Sequence, residues 1–458
     1  MSDLRIERRW WLTLNIGIGI FMSTLDASIV NISLPTIVQS LNTDIKTVAW
    51  VVMAYLIIIT GCLLLMGRLA DLFGQRRIFW LGFLTFTIGS GFCGFSPNIY
   101  FLIGSRTIQG LGASALMAIG PAIITSAYPE KDRGQALGML GSIVSIGFIT
   151  GPLIGGFLVE HLGWRSIFFI NLPIGIAGIL LSANILKGDR KTASKQIDLL
   201  GALLFFLFIT SLLFFLNRVG WESTPLFWGW ILLALICLGL FLIIENHSHS
   251  PLVDLRIFKN QSFLSPLGAS FFSFWMNGAH NFVLPFFMQI FLGYSPSQMG
   301  MLICPVALTV MVIAPIGGRV SDRIGVRIPT TLGLVITSLI IFSFVFLKRG
   351  ASDYEILVRH VVLGVGIGFF NPANNSAILG SLPKTHVGVT SSFLALARNL
   401  GIVIGVAFGE MVVALKSSDD PGAIRGPSIE GIQDVWQILL VIGLIAIFLS
   451  WRRGKKEV

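Results

Sequence analysis

Gly67-Arg-Leu-Ala-Asp71-Leu-Phe-Gly74-Gln-Arg76 stands between two long apolar runs and returns, 251 positions later, as Gly318-Arg-Val-Ser-Asp322-Arg-Ile-Gly325-Val-Arg327, again between apolar runs. A polar loop copied inside a lipid-soluble chain predicts two like halves, the plan of many carriers of small molecules. The copy extends outward from this loop. Asn31, Leu34 and Pro35 recur as Asn281, Leu284 and Pro285 at a spacing of 250. Further on the spacing is 254, matching Gly110, Gly112, Pro129, Gly134, Gly147, Gly151 and Gly155 to Gly364, Gly366, Pro383, Gly388, Gly401, Gly405 and Gly409. The halves are parallel copies, so both loops belong on one membrane face and each half needs an even number of spans.

Composition agrees. The chain is 54% hydrophobic and only 12% charged, with a mean hydropathy of +0.84, whereas soluble domains carry roughly twice that charge. Apolar stretches long enough to cross a hydrocarbon layer of about 30 Å as helices lie near 10–36, 47–67, 78–95, 99–126, 135–159, 166–187, 198–217, 226–245, 262–290, 297–317, 328–347, 354–380, 388–415 and 432–451. The expected fold is therefore an all-α polytopic membrane protein of fourteen spans. The first span follows a charged start and has no small-residue cleavage site after it, so it reads as a retained helix.

Cations set the orientation. About 22 Lys and Arg residues fall on the face shared by the two termini, about 7 on the other and about 3 within the membrane, which makes both termini cytoplasmic. The net charge of +10 is mostly this bias, and it excludes a nucleic-acid footprint as its source. Cys62, Cys93, Cys237 and Cys304 each stand alone in apolar runs, without redox or metal-ligand spacing. The six histidines are scattered, His247 and His249 lacking a further ligand. Neither a Gly-x-Ser-x-Gly elbow nor a His-Glu-x-x-His or Walker motif occurs, which argues against an enzyme. No metal and no cofactor is expected.

Removing the matched halves leaves a middle segment of two apolar spans between polar connectors. The division is 1–187 as an N-terminal six-helix bundle, 188–259 as a linker with two inserted helices, and 260–458 as a C-terminal six-helix bundle.

Five segments, in order and at suitable depths, carry a resemblance: Leu25-Asp26-Ala-Ser-Ile-Val-Asn31-Ile-Ser-Leu-Pro35; the loop Gly67 to Arg77; Arg106-Thr-Ile-Gln109-Gly110-Leu-Gly112; Gly147-Phe-Ile-Thr-Gly151-Pro152-Leu-Ile-Gly155-Gly156; and Gly163-Trp164-Arg165 through Asn171-Leu-Pro173. Together they resemble the fourteen-helix drug:proton antiporters of the major facilitator superfamily. The resemblance implies the major facilitator fold of two pseudo-symmetric six-helix bundles plus two inserted helices. It also implies a proton-coupled exporter of hydrophobic or amphiphilic small molecules, often cationic, in the bacterial plasma (inner) membrane. Such a carrier is driven by the proton gradient and expected to work as a monomer, with an adaptor protein left open as a partner. A lipid or metabolite carrier of the same fold is the alternative.

In the family the loop holding Gly67, Asp71, Gly74, Arg76 and Arg77, with Asp322 in its second copy, is a conformational gate. Read from the residues, Gly67 and Gly74 permit close approach and tight turning, Asp71 is placed to accept hydrogen bonds at a helix start, and the arginines can meet Glu130 or Asp132. The alternative is a basic loop that only fixes topology. Gly147, Gly151 and Gly155 form a glycine stripe, continued at Gly156 and interrupted by Pro152, which lets a neighbouring helix come close and this one bend. In the family this stretch is the antiporter signature; ordinary tight packing is the plainer account.

A charge at depth costs about 2.5–3.5 kcal/mol or more, so ionisable residues inside spans are candidates for function. Asp26 and Arg106 come to similar depths and are natural partners. Asp26 reads either as a proton or cationic-substrate site or as a structural acid. Glu410, at the place matching Gly156, is a candidate second proton site. Arg359 parallels Arg106 imperfectly, and Arg398 reads as a snorkelling or packing cation. Asn277 and His280 lie among aromatics in the second-half equivalent of the Asp26 region, where they would line a substrate cavity; a packed neutral histidine is the alternative for His280. Asn31 completes the candidate coupling and substrate set.

Overall fold

A computed structural model of the protein describes residues 2–185, 199–218, 225–247, 255–348, 350–382, 387–416 and 428–452. Its described residues form helices joined by short turns, with no strand among them: α1 (Ser2–Ser40), α2 (Ile45–Phe73), α3 (Gln75–Gly94), α4 (Ile99–Ala127), α5 (Glu130–Leu162), α6 (Ser166–Phe169), α7 (Asn171–Ile185), α8 (Leu199–Arg218), α9 (Pro225–His247), α10 (Gln261–Phe286), α11 (Pro296–Ile324), α12 (Arg327–Ser343), α13 (Asp353–Leu379), α14 (Val387–Leu415) and α15 (Ile429–Trp451). A π-helical turn, Phe287–Phe291, extends α10, and a 3-10 turn, Phe344–Phe346, extends α12. Each of the fourteen apolar stretches falls on a helix, the sixth on the broken pair α6–α7. Ten of the described helices are long and apolar enough to cross a membrane, with two shorter apolar ones besides. Trp228, Leu232, Leu235 and Ile243 of α9 are all exposed, the inverse of a soluble protein and the arrangement a bilayer requires.

The internal copy governs where helices start and stop. Asp44 Oδ1 accepts from the Thr47 amide at 2.7 Å ahead of α2, and Ser295, 251 positions on, caps α11 by accepting from the Gln298 amide. Asn98 caps α4, and Ser352, 254 positions on, caps α13. In each case a short polar side chain satisfies an amide that the helix start leaves unpaired. Gly74 (φ 99) separates α2 from α3 and Gly325 (φ 85) separates α11 from α12, a backbone region that other residues adopt only with strain.

The copy also governs which backbones touch. A Cβ on Gly110 would press on the Tyr55 carbonyl and Ile58, and one on Gly364 on the Val306 carbonyl and Thr309, their repeat partners. Gly112 lies against Gly82 and Phe86, and Gly366 against Gly333 and Thr337. Small residues give membrane helices the close van der Waals contact that replaces the missing hydrophobic drive.

The chain divides into two compact units. One comprises Met1–Val30, Trp50–Leu212 and Trp228–Val253; the other comprises Asn31–Ala49, Leu213–Phe227 and Asp254–Val458. Much of the connector 188–198, the loop 219–224 and residues 248–254, with His249, lie outside the described residues.

Candidate functional site

Within the first unit, Asp26 on α1 meets Arg106 on α4, as their depths foretold, and neither is accessible to solvent. Arg106 Nη1 donates to Asp26 Oδ2 and, at 2.6 Å, to Gln109 Oε1; its Nε donates to the Val51 carbonyl at 2.9 Å. The guanidinium lies 3.9 Å from the Tyr55 ring centroid. The other carboxylate oxygen, Asp26 Oδ1, accepts from Gln109 Nε2 at 2.9 Å and from Asn171 Nδ2 at 3.0 Å. Ser90 Oγ receives both of those amides at 3.1 Å and donates to the Phe168 carbonyl at 2.8 Å. Every member of this network, Tyr55 and Cys93 included, is buried.

Local sequence explains the convergence. Arg106 and Gln109 are three residues apart and so share one face of α4. Gly89 of α3 lets Gln109 approach, since a Cβ there would stand 2.6 Å from the Gln109 amide nitrogen. Gly163 (φ 79) ends α5, and the short α6 brings Phe168 and Asn171 inward at the start of α7. Gln109 and Asn171 belong to the quoted segments, but no role had been read from them. Tyr55 and Ser90 were missed altogether; the available signal was that Tyr55 is a solitary polar group on an otherwise apolar face of α2 and that Ser90 shares a face of α3 with Thr87. Two polar atoms of the network have no hydrogen-bond partner among the described residues, Arg106 Nη2 and Asn171 Oδ1. One is a donor and the other an acceptor.

The glycine stripe packs beside this network. Cβ atoms on Gly147, Gly151 and Gly155 would run into Thr24, Ser28 and Ile29 of α1, and Ser28 Oγ donates to the Gly147 carbonyl at 3.2 Å. Pro152 lies in the same helix, beside the stripe, and Gly156 follows it. The stripe thus faces the helix that carries Asp26. In the second unit Gly401, Gly405 and Gly409 lie against Phe271, Trp275 and Ala279 of α10 in the same way.

Several expectations are corrected. Asp71 lies in the last turn of α2, not at a helix start, because the chain stays helical to Phe73 and turns only at Gly74. Among the described residues a Cβ on Gly67 would meet nothing within 4 Å. The side chains of Arg68, Asp71, Glu130 and Asp132 lie outside the described residues, and so does their expected pairing. Arg76 is half-buried, Arg77 exposed, and Asp322 exposed in the last turn of α11. Asn31 is half-buried on α1, and half-buried Asn277 donates to the Ser273 carbonyl at 2.8 Å. Arg398 is half-buried on α14. Glu410 is fully buried on α14. His280 is enclosed, not exposed on a wall: Trp436 Nε1 donates to its Nδ1 at 3.1 Å, and its ring lies 4.9 Å from that of Phe344. Arg359 does not parallel Arg106, since the spacing of 254 puts His360 at that place; Arg359 reaches Glu355 one turn away at 3.8 Å.

Residues 16–406 match the Major Facilitator Superfamily. The chain belongs to that superfamily. Among similar members, the riboflavin transporter RibZ of Clostridioides difficile (strain 630) is 37% identical over 404 residues, covering 88% of each chain. The multidrug resistance protein Stp of Mycobacterium tuberculosis (strain CDC 1551 / Oshkosh) is 32% identical over 405 residues, covering 87% of this chain and 74% of Stp. The crystal structure of a bacterial homolog to the human lysosomal transporter Spinster, inward-facing and unoccupied, superposes with a TM-score of 0.66 at 16% identity, covering 97% of this chain and 96% of that one. Such a likeness fixes the fold. This superfamily member is a multi-pass membrane transporter of bacterial type and not an enzyme, and the multidrug-named relative bears out the resemblance to drug-efflux members.

Proposed function

We propose that the protein exports hydrophobic or amphiphilic small molecules, cationic ones among them, in exchange for protons, by alternating access across the bacterial plasma membrane with both termini cytoplasmic. One observation carries this reading: a carboxylate sunk out of water, Asp26, held by one cation and two amides. In general a carboxylate's hold on its proton responds to access of water and to the charges beside it. Protonation of Asp26 would release Arg106 without stranding it, because the Val51 carbonyl, Gln109 Oε1 and the Tyr55 ring still receive the cation. Glu410 is proposed as a further proton site and the duplicated loop as the gate. Fourteen spans, divided at 187 and 259, complete the proposal.

A second reading, a metabolite carrier of the same fold, is favoured by the 37% identity to a protein named a riboflavin transporter. Vesicles reconstituted with the protein and given an inward pH gradient separate the two. Lipophilic cations, neutral drugs, labelled lipids and riboflavin are offered in parallel. Gradient-driven movement of the amphiphiles, lost in Asp26→Asn, supports exchange. Riboflavin movement alone favours the second reading, and movement of the amphiphiles left intact by both Asp26→Asn and Glu410→Gln defeats the coupling scheme.

A further inference from the structure

His280 and His360 belong to the second unit and are each only 1% exposed. Their ring centroids lie 4.9 and 5.5 Å from that of Phe344, so one aromatic ring touches both. Phe287 and Trp436 close the cluster: Trp436 lies 5.0 Å from Phe287 and 5.5 Å from Phe344.

The neighbours fix both tautomers. An indole N–H can only donate, so the bond from Trp436 Nε1 makes His280 Nδ1 an acceptor and puts the ring proton of the neutral imidazole on Nε2. A carbonyl can only accept, so the 2.9 Å contact between His360 Nδ1 and the Ile356 carbonyl puts its proton on Nδ1 and leaves a bare lone pair on Nε2. Both Nε2 atoms are buried without a hydrogen-bond partner among the described residues. One is a donor and the other an acceptor, and a native interior seldom leaves such groups idle.

Position supplies the second, independent observation. His360 stands 254 residues after Arg106, Phe344 stands 251 after Cys93, and Trp436 precedes Gly443, which meets Ser338, at the same interval as Phe168 precedes Gly175, which meets Thr87, 251 positions before Ser338. His360 therefore occupies, in the second unit, the place of Arg106 in the first, and His280 stands one turn beyond the place of Asp26, at that of Val30.

We propose that His280 and His360 form a proton-binding site of the second unit, in which Nε2 of His360 takes the proton and Nε2–H of His280 holds the water that delivers it. Proton uptake makes or breaks no other covalent bond. The faces of Phe344 and, beside it, Trp436 are placed to receive the cation. Around the pair, α10 and its π-helical turn carry no charged residue, and Arg327 lies at the opposite end of α12. On α11, Arg319, Asp322 and Arg323 lie in its last turns. On α13, Arg359 is engaged with Glu355, and Asp353 accepts from Tyr294. On α15, Asp434 pairs with Lys416, and Glu430 lies in the first turn. Arg398 and Glu410 belong to α14.

The test reads protonation and not flux, so it fails independently of the transport proposal. Full-length protein carrying nitrogen-15 histidine is placed in lipid vesicles, and imidazole nitrogen spectra are recorded from about pH 8 to about pH 3, a range that starts above and ends well below the ordinary change of charge of histidine. His360→Gln and His280→Gln assign the two rings. The expected result is the Nδ1–H tautomer for His360 and the Nε2–H tautomer for His280 at the upper limit, conversion of His360 to imidazolium toward the lower, and a midpoint moved by about half a pH unit or more in His280→Gln. Trp436→Phe leaves both imidazoles in place and serves if either histidine variant fails to fold; its loss of the indole donor must also move the His360 midpoint. A His360 ring that stays neutral throughout, or whose midpoint ignores both changes, overturns the proposal.

Discussion

The two units build the same scaffold around opposite interiors. Repeat spacing sets Asp26 against Met276, Arg106 against His360, Gln109 against Leu363 and Asn171 against Leu439. All eight are buried. The surrounding contacts are conserved between the units even in detail: Gly175 presses on Thr87, and Gly443 presses on Ser338, which stands 251 positions after Thr87. One unit fills this frame with an ion pair and amides, the other with apolar side chains and two histidines. The second unit is thereby an internal control, showing that the fold does not require the charge network. Buried ion pairs are often no more stabilising than apolar residues of similar volume, so stability alone does not explain why the first unit keeps one. Function does.

The sharpest way to break this comparison is to exchange the interiors. Arg106→Ala leaves the Asp26 carboxylate buried without its cation and is expected to destabilise the protein by about 3–5 kcal/mol, measured by denaturant titration in detergent. The fourfold variant Asp26→Met, Arg106→His, Gln109→Leu and Asn171→Leu should come within about 1–2 kcal/mol of the parent while gradient-driven transport stays lost. Equal destabilisation of both variants would mean that the network is structural after all. A smaller effect tests whether the frames are equivalent. Gly112→Val and Gly366→Val overpack matching helix contacts and should each destabilise by about 1–3 kcal/mol, to a similar degree; a large inequality would show that the units tolerate strain differently.

Smaller still is Trp436→Phe, which removes the donor to His280 Nδ1 and should lower stability by about 0.5–1.5 kcal/mol, with no counterpart in Phe168→Leu beyond lost packing. At the bottom of the scale is the hydroxyl of Tyr294, pushed up to about 12 by burial and then by its hydrogen bond to Asp353. A raised folded value favours the protonated phenol, so its contribution is whole below the ordinary tyrosine range and is lost as pH climbs from about 10. Tyr294→Phe should abolish only that alkaline slope in a melting-temperature series, and no first-unit variant should change it.

The residues of the candidate site were legible to different depths. Asp26 and Arg106 declared themselves, because an ionisable group in an apolar run is improbable without a partner and helix rise converts position to depth. Gln109 and Asn171 were visible only as members of quoted segments. Neutral amides are inexpensive enough in a helix that their presence alone signals nothing. Tyr55 and Ser90 gave still less, since each reaches the network through a crossing of helices that no local pattern encodes. His280 was singled out for the wrong surroundings: alternating aromatics suggested a substrate wall, whereas Trp436, about 156 residues away, covers it.

By itself, then, the chain determined its solvent, its duplication and which of its stretches are helical. Hydropathy, spacing and capping act over a few residues and survive without any knowledge of neighbours. Glycines at Gly74 and Gly325 fixed the turns for the same local reason, a backbone angle that other residues resist. What only tertiary structure decided is which of two repeat-equivalent interiors is charged and how its polar atoms are shared. A hydrogen bond between Asn171 and Asp26 joins residues far apart in sequence, and its geometry follows from the break after α5 and the crossing of α1, α3 and α4. Nothing shorter in range than the packed helices could have placed those two side chains within reach of each other.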